Sequence, residues 1–226
     1  MKQVCKLSIA ISLLIFSLGY NKVKARDIQN LNELQVIVTS ELVCRRHHRP
    51  CKVQFVNRPV INAMTYPDGH IYITRALADR LEDNEVLGVA LHEVGHHVLQ
   101  HYRRFPVTKS TILFKDAKQI IQGFEYEADA FATLESIRIT GTTGTDTALL
   151  KITGGNLIDV ETLTHPSTRN RVYRIKLIKE NYNDETNSQR YLDSLLLHAQ
   201  RKELQDCISA TTRTLRDTQK EAPAFQ

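Results

Sequence analysis

The alternation of apolar and polar positions divides the chain into a first stretch without charges, a short strand-rich region and a long helical remainder. From Leu7 to Leu18 the residues are apolar or small and uncharged. Ile28, Leu31, Leu34, Ile37 and Leu42 then recur at helical spacing, which predicts an amphipathic helix over Asp27 to Val43. Lys52 to Val60 reads as a strand. Asn62 to Tyr66 stays extended, Pro67-Asp68-Gly69 is a turn, and the β-branched and aromatic run His70 to Thr74 is a second strand, so a small antiparallel hairpin is expected. A short helix through Ala76, Leu77 and Leu81 follows, then a long one from Asn84 to Arg104 capped by Asp83. Further helices are predicted over Asp116 to Ile139, from Pro166 to Asn181, and from Ser188 to Leu215. Between them Gly141 to Asp146 reads as a flexible loop, with weak structure on to Thr164, a stretch suited to gating a cleft. The fold class is α+β: mainly helical, with one small antiparallel sheet packed on the long helix.

A chain of 226 residues, 42% hydrophobic and 24% charged, is too ordinary in composition for a disordered, collagenous or polytopic membrane protein. Its formal charge of +5 raises the question of a nucleic-acid partner. The excess lies at the start, where Met1 to Ala25 holds Lys2, Lys6, Lys22 and Lys24 and no acid. Two lysines ahead of an apolar run, ending in Val23-Lys24-Ala25, have the layout of a secretory signal peptide cut after Ala25. The expected domains are therefore a signal peptide over 1–25, a globular domain over 26–182 and a helical extension over 183–226. Losing four lysines takes +5 to +1, so no nucleic acid is expected as partner. The expected location is the periplasm or outside the cell, with membrane association if the segment is retained. Export also favours a disulfide between Cys44 and Cys51. Pairing with Cys207 or free thiols, and a metal site of Cys44, His47, His48 and Cys51, are the alternatives.

The chemistry concentrates in Leu91-His92-Glu93-Val94-Gly95-His96-His97. On a helix His92 and His96 project from one face a turn apart, suiting two vertices of a tetrahedral zinc site. Glu93 is turned about 100° from His92, able to reach a water on the metal without ligating it. Gly95 leaves room for another backbone to pack close. A third donor is available from Glu125, with Asp129 one turn on to orient a ligating histidine. Glu127 points elsewhere. His165, held extended before Pro166, could face an oxyanion or the open metal position, and Arg171 could anchor its segment on Asp129. Each motif alone also fits a solvated helix face.

In order and content these motifs resemble the HtpX and CAAX prenyl protease family of zinc metallopeptidases: His-Glu-x-x-His, then Glu125-x-x-x-Asp129, then His165-Pro166 followed by Arg171-Val172. Asn62-Ala63 and Gly69 to Thr74 match the strand before that family's active-site helix. The resemblance spans Val53 to Leu177 and implies a zincin (gluzincin) domain with one zinc ion per chain. It makes His92, His96 and Glu125 the ligands and Glu93 the catalytic base, with His165 assisting or occupying the open position. Membrane-embedded members carry apolar spans near the active-site helix. Here the stretch between His96 and Glu125 holds Arg103, Arg104, Lys109, Lys115 and Lys118, so the chain resembles the exported, quality-control type. The substrates expected are extended or unfolded envelope proteins, paired with the His70 to Thr74 strand if it lies at the sheet edge. A zinc-dependent chaperone without turnover is the rival from another class. The basic helix Arg169 to Lys179 allows peripheral membrane contact but suits a solvated face better.

Overall fold

The computed structural model describes residues 29–105, 116–154, 162, 164–182, 186–187 and 189–199. The expected signal segment and Cys207 lie outside them. Helix α1 (Leu31–Arg46) starts where the Asn30 side chain accepts a hydrogen bond from the Glu33 N–H, and it buries Val36, Ile37 and Val43. Its end is tied back by a disulfide between Cys44 and Cys51. His47 donates instead to Glu135 Oε1 at 2.6 Å, taking it away from any site with these cysteines.

Strands β1 (Lys52–Val56), β2 (Ala63–Thr65) and β3 (His70–Thr74) form one sheet in the order β1-β3-β2. The expected antiparallel hairpin is corrected: β1 and β3 run parallel, and only β2 pairs antiparallel with β3, with Met64 opposite Tyr72. The Pro67 to Gly69 turn joins β2 to β3, and Gly69 takes φ +86°, a conformation that costs glycine little. Strand β3 is thus central, and the edge on the side of the long helix is β2. Period-two alternation sends Val53, Ile71 and Ile73 inward, all fully buried.

Helix α2 (Arg75–Ala78) leads to α3 (Asp83–Val98), which begins one residue before expectation with Glu82 as N-cap, its N–H donating to Glu85 Oε2 at 2.8 Å. The long helix expected through Arg104 is broken. Gln100 adopts φ +57°, ψ +38°, and a separate turn, α4 (His101–Arg104), follows in a new direction. Helix α5 (Ala117–Thr140) packs most extensively on α3. The approach is close because Gly95 has no side chain: a Cβ there would lie 3.2 Å from the Ala128 Cα. Around this contact Leu91, Val94, Phe131, Ala132 and Leu134 make the core with the inner face of the sheet.

Part of the stretch expected to be a flexible loop is helical, α6 (Thr145–Ile152), seated on the start of α3. Residues 155–161 lie outside the described set. Helix α7 (Thr168–Asn181) starts at Ser167, whose hydroxyl accepts from the Asn170 N–H. Residues 189–199 are helical, and Leu192 is buried in the core cluster. Among the described residues no helix is long and apolar enough to cross a membrane.

Candidate metal centre

Helix α3 presents His92 and His96 on its face toward α5, and Glu125 meets them from that helix. His92 Nε2 lies 3.1 Å from His96 Nε2 and 3.5 Å from Glu125 Oε2, and His96 Nε2 lies 3.3 Å from Glu125 Oε1. A tetrahedral zinc ion with donors at about 2.0–2.2 Å holds them about 3.4 Å from one another. The three separations bracket that value, and two imidazoles with one carboxylate are a zinc donor set. These three side chains could therefore hold a metal.

The polar surroundings are ordered around the same point. Asp129 Oδ1 lies 2.9 Å from His92 Nδ1, and both carboxylate oxygens of Asp129 accept from Arg171, Nε to Oδ2 and Nη2 to Oδ1, at 2.7 Å each. Burial disfavours charge on His92, yet the Asp129 and Glu125 carboxylates outweigh it and raise the imidazole to about 10 in the metal-free protein. Burial also acts against the Glu125 and Asp129 anions. His92 and His96 nevertheless hold Glu125 well below its ordinary value, and Arg171 holds Asp129 below its own.

Glu93 stands beside the cluster with its carboxylate steered by β2. The Thr65 hydroxyl lies 2.7 Å from Glu93 Oε2 and 2.8 Å from the Glu93 carbonyl oxygen, so one proton serves two acceptors. Tyr102 donates to the Thr65 carbonyl oxygen, and burial, then the negative charge of Glu93 and Glu125, pushes its phenol up to about 12. A cleft of about 240 Å³ opens over these groups, lined by Met64, Glu93, Tyr102, Phe105, Phe124 and His165. His165 faces it from the segment before α7, its Nε2 3.9 Å from Glu125 Oε2 and its Nδ1 2.8 Å from the Thr164 hydroxyl.

A second polar set, of His101, Glu127 and Arg104, was given no role in the sequence reading. His101 Nδ1 lies 2.8 Å from His96 Nδ1, and His101 Nε2 lies 3.2 Å from Glu127 Oε2. Both oxygens of Glu127 accept from Arg104, Oε1 at 3.0 Å and Oε2 at 2.5 Å. Burial lowers the His101 imidazole to about 3. Burial alone would raise Glu127, but His101 and Arg104 bring it down to about 2. Glu127 does point away from the three donors, as its helix position dictates, and toward this second set of partners. The only sequence signal was a histidine five positions after His96, which on an unbroken helix would sit about 140° around the axis. His97 turns to the other side, its Nε2 3.2 Å from the Pro50 carbonyl oxygen.

Comparison with curated proteins finds no match. The segment that matches a family model carries β1 to β3 and the donors His92 and His96 of α3 but ends just before Glu125, so the third donor rests on the geometry above. Residues 29–122 match the model of Peptidase family M48, consistent with the resemblance of the motifs to the HtpX and CAAX prenyl protease metallopeptidases.

Proposed function

We propose that the protein is a zinc-dependent metalloendopeptidase that hydrolyses internal bonds of extended or unfolded envelope proteins after export to the periplasm. The observation that carries this reading is Glu93, a carboxylate held by Thr65 at the rim of a cleft where two histidines and Glu125 converge at metal-donor distances. When bound, zinc supplies Lewis acidity toward a peptide carbonyl and toward water. His92, His96 and Glu125 would hold it. The Glu93 carboxylate takes one proton from the attacking water and returns it to the leaving amine. His165, exposed at the cleft, can donate to the oxygen that gains charge.

The central place of β3 removes it as a docking strand. Of the two edge strands, β1 and β2, it is β2 whose Ala63 and Met64 line the cleft, and backbone pairing along it would select extended chain rather than a particular sequence. A chaperone without turnover has no use for a carboxylate steered in this way. Metal analysis of the purified protein, with casein cleavage measured before and after a chelator and on zinc return, tests the proposal. A metal-free protein that cleaves undiminished would overturn it.

A further inference from the structure

We propose that His101 is a positioning residue for the metal centre, accepting the Nδ1 proton of His96 and donating its own Nε2 proton to Glu127. This rests on the zinc reading and adds to it a second orienting chain.

The direction of each hydrogen bond follows from what the groups can do. Two Nδ1 atoms 2.8 Å apart require one proton and one lone pair between them. Glu127, with both oxygens occupied by Arg104, is an ionised acceptor, so His101 Nε2 must carry the proton in that pair. The His101 ring is 3% exposed and lies flat on Phe124, centroids 4.4 Å apart and planes 6° from parallel, which suits a neutral imidazole. Its Nδ1 is then bare and accepts. His96 must hold its proton on Nδ1, leaving the Nε2 lone pair directed at His92 and Glu125. The opposite arrangement would put a proton on His96 Nε2, where a ligand needs a lone pair.

His92 has the same device in a shorter form, since Asp129 lies directly against its Nδ1. Asp129 sits one turn along α5 from Glu125, in register with His92. The left-handed residue Gln100 supplies the other partner by ending α3 and swinging His101 back over His96. Each ligating imidazole is thus backed by a carboxylate and an arginine, Asp129 with Arg171 and Glu127 with Arg104, the second through an intervening ring.

The test uses the full chain and zinc alone. His101→Phe keeps the stack on Phe124 but removes the acceptor, and His101→Asn restores an oxygen near the Nδ1 position. Zinc affinity by chelator competition is expected to fall roughly 10–100-fold in the first and to recover in part in the second, with unchanged circular dichroism. In the zinc-loaded wild type, ¹⁵N spectra should show His101 protonated on Nε2 alone, a measurement that stands even if a variant fails to fold. Unchanged affinity of His101→Phe, or a His101 protonated on Nδ1, would overturn the inference while leaving the zinc reading in place. A wild type that binds no zinc would overturn both.

Discussion

Arg171 and Asp129 are joined two-pronged and out of water, and Asp129 Oδ1 is shared between the guanidinium and His92. Removing the arginine leaves a buried carboxylate without its cation. Arg171→Met is expected to destabilise the fold by about 3–5 kcal/mol, read as a shifted denaturant midpoint. Arg171→Lys should recover only part, because an ammonium cannot reach both oxygens in one plane. A midpoint unchanged in Arg171→Met would show the pair to be dispensable.

Glu93→Gln should retain zinc in equal stoichiometry and lose turnover by roughly 10²–10⁴-fold, since the amide keeps the shape but cannot take a proton. Casein cleavage at the wild-type rate by the zinc-loaded variant would remove Glu93 from the reaction.

Thr65→Val separates steering from chemistry. Thr65 is 4% exposed and nearly isosteric with valine, so the loss is that of one hydroxyl beside the carboxylate. One hydrogen bond of about 1 kcal/mol corresponds to roughly a fivefold fall in kcat, with KM and zinc content little moved. A fall in KM-dependent terms alone would place Thr65 in substrate binding instead.

Zinc loading should release protons. In the metal-free protein His92 is raised from 6.5 to about 10, against burial, by Asp129 and Glu125. Being raised on folding, it stabilises the metal-free chain fully below its unfolded value of 6.5, and this contribution is lost as pH climbs through about 10. A metal must displace that proton. Apparent zinc affinity is therefore expected to rise roughly tenfold per pH unit between about pH 7 and 9, with about one proton released per ion in calorimetry across buffers. A flat profile would show His92 to be unprotonated before the metal arrives.

What the sequence made legible is what a helix enforces locally. His92 with His96, and Glu125 with Asp129, share faces because they are four apart, and Gly95 foretold the close approach of a second backbone. The sheet order was not legible, since which strands pair is decided by packing on α3, and the turn at Gly69 serves β2 rather than β1. The break at Gln100 carried no local signal, because a glutamine in a left-handed conformation is held by its surroundings. That break decides the partner of His96. Helix α6 was hidden by the two glycines that precede it, Gly141 and Gly144. Gly144 is needed because a side chain there would meet the Asn84 and Glu85 backbone at 2.7 Å.

The contact of α3 with α5 has one more consequence. Two donors sit on the first helix and one on the second, so an ion held between them is a cross-link between distant parts of the chain as well as a reagent. Its binding energy adds to the folding equilibrium in proportion to the logarithm of free metal. Zinc supply would then set how many molecules are folded, and how long each lasts among other proteases, before it sets how fast any of them works.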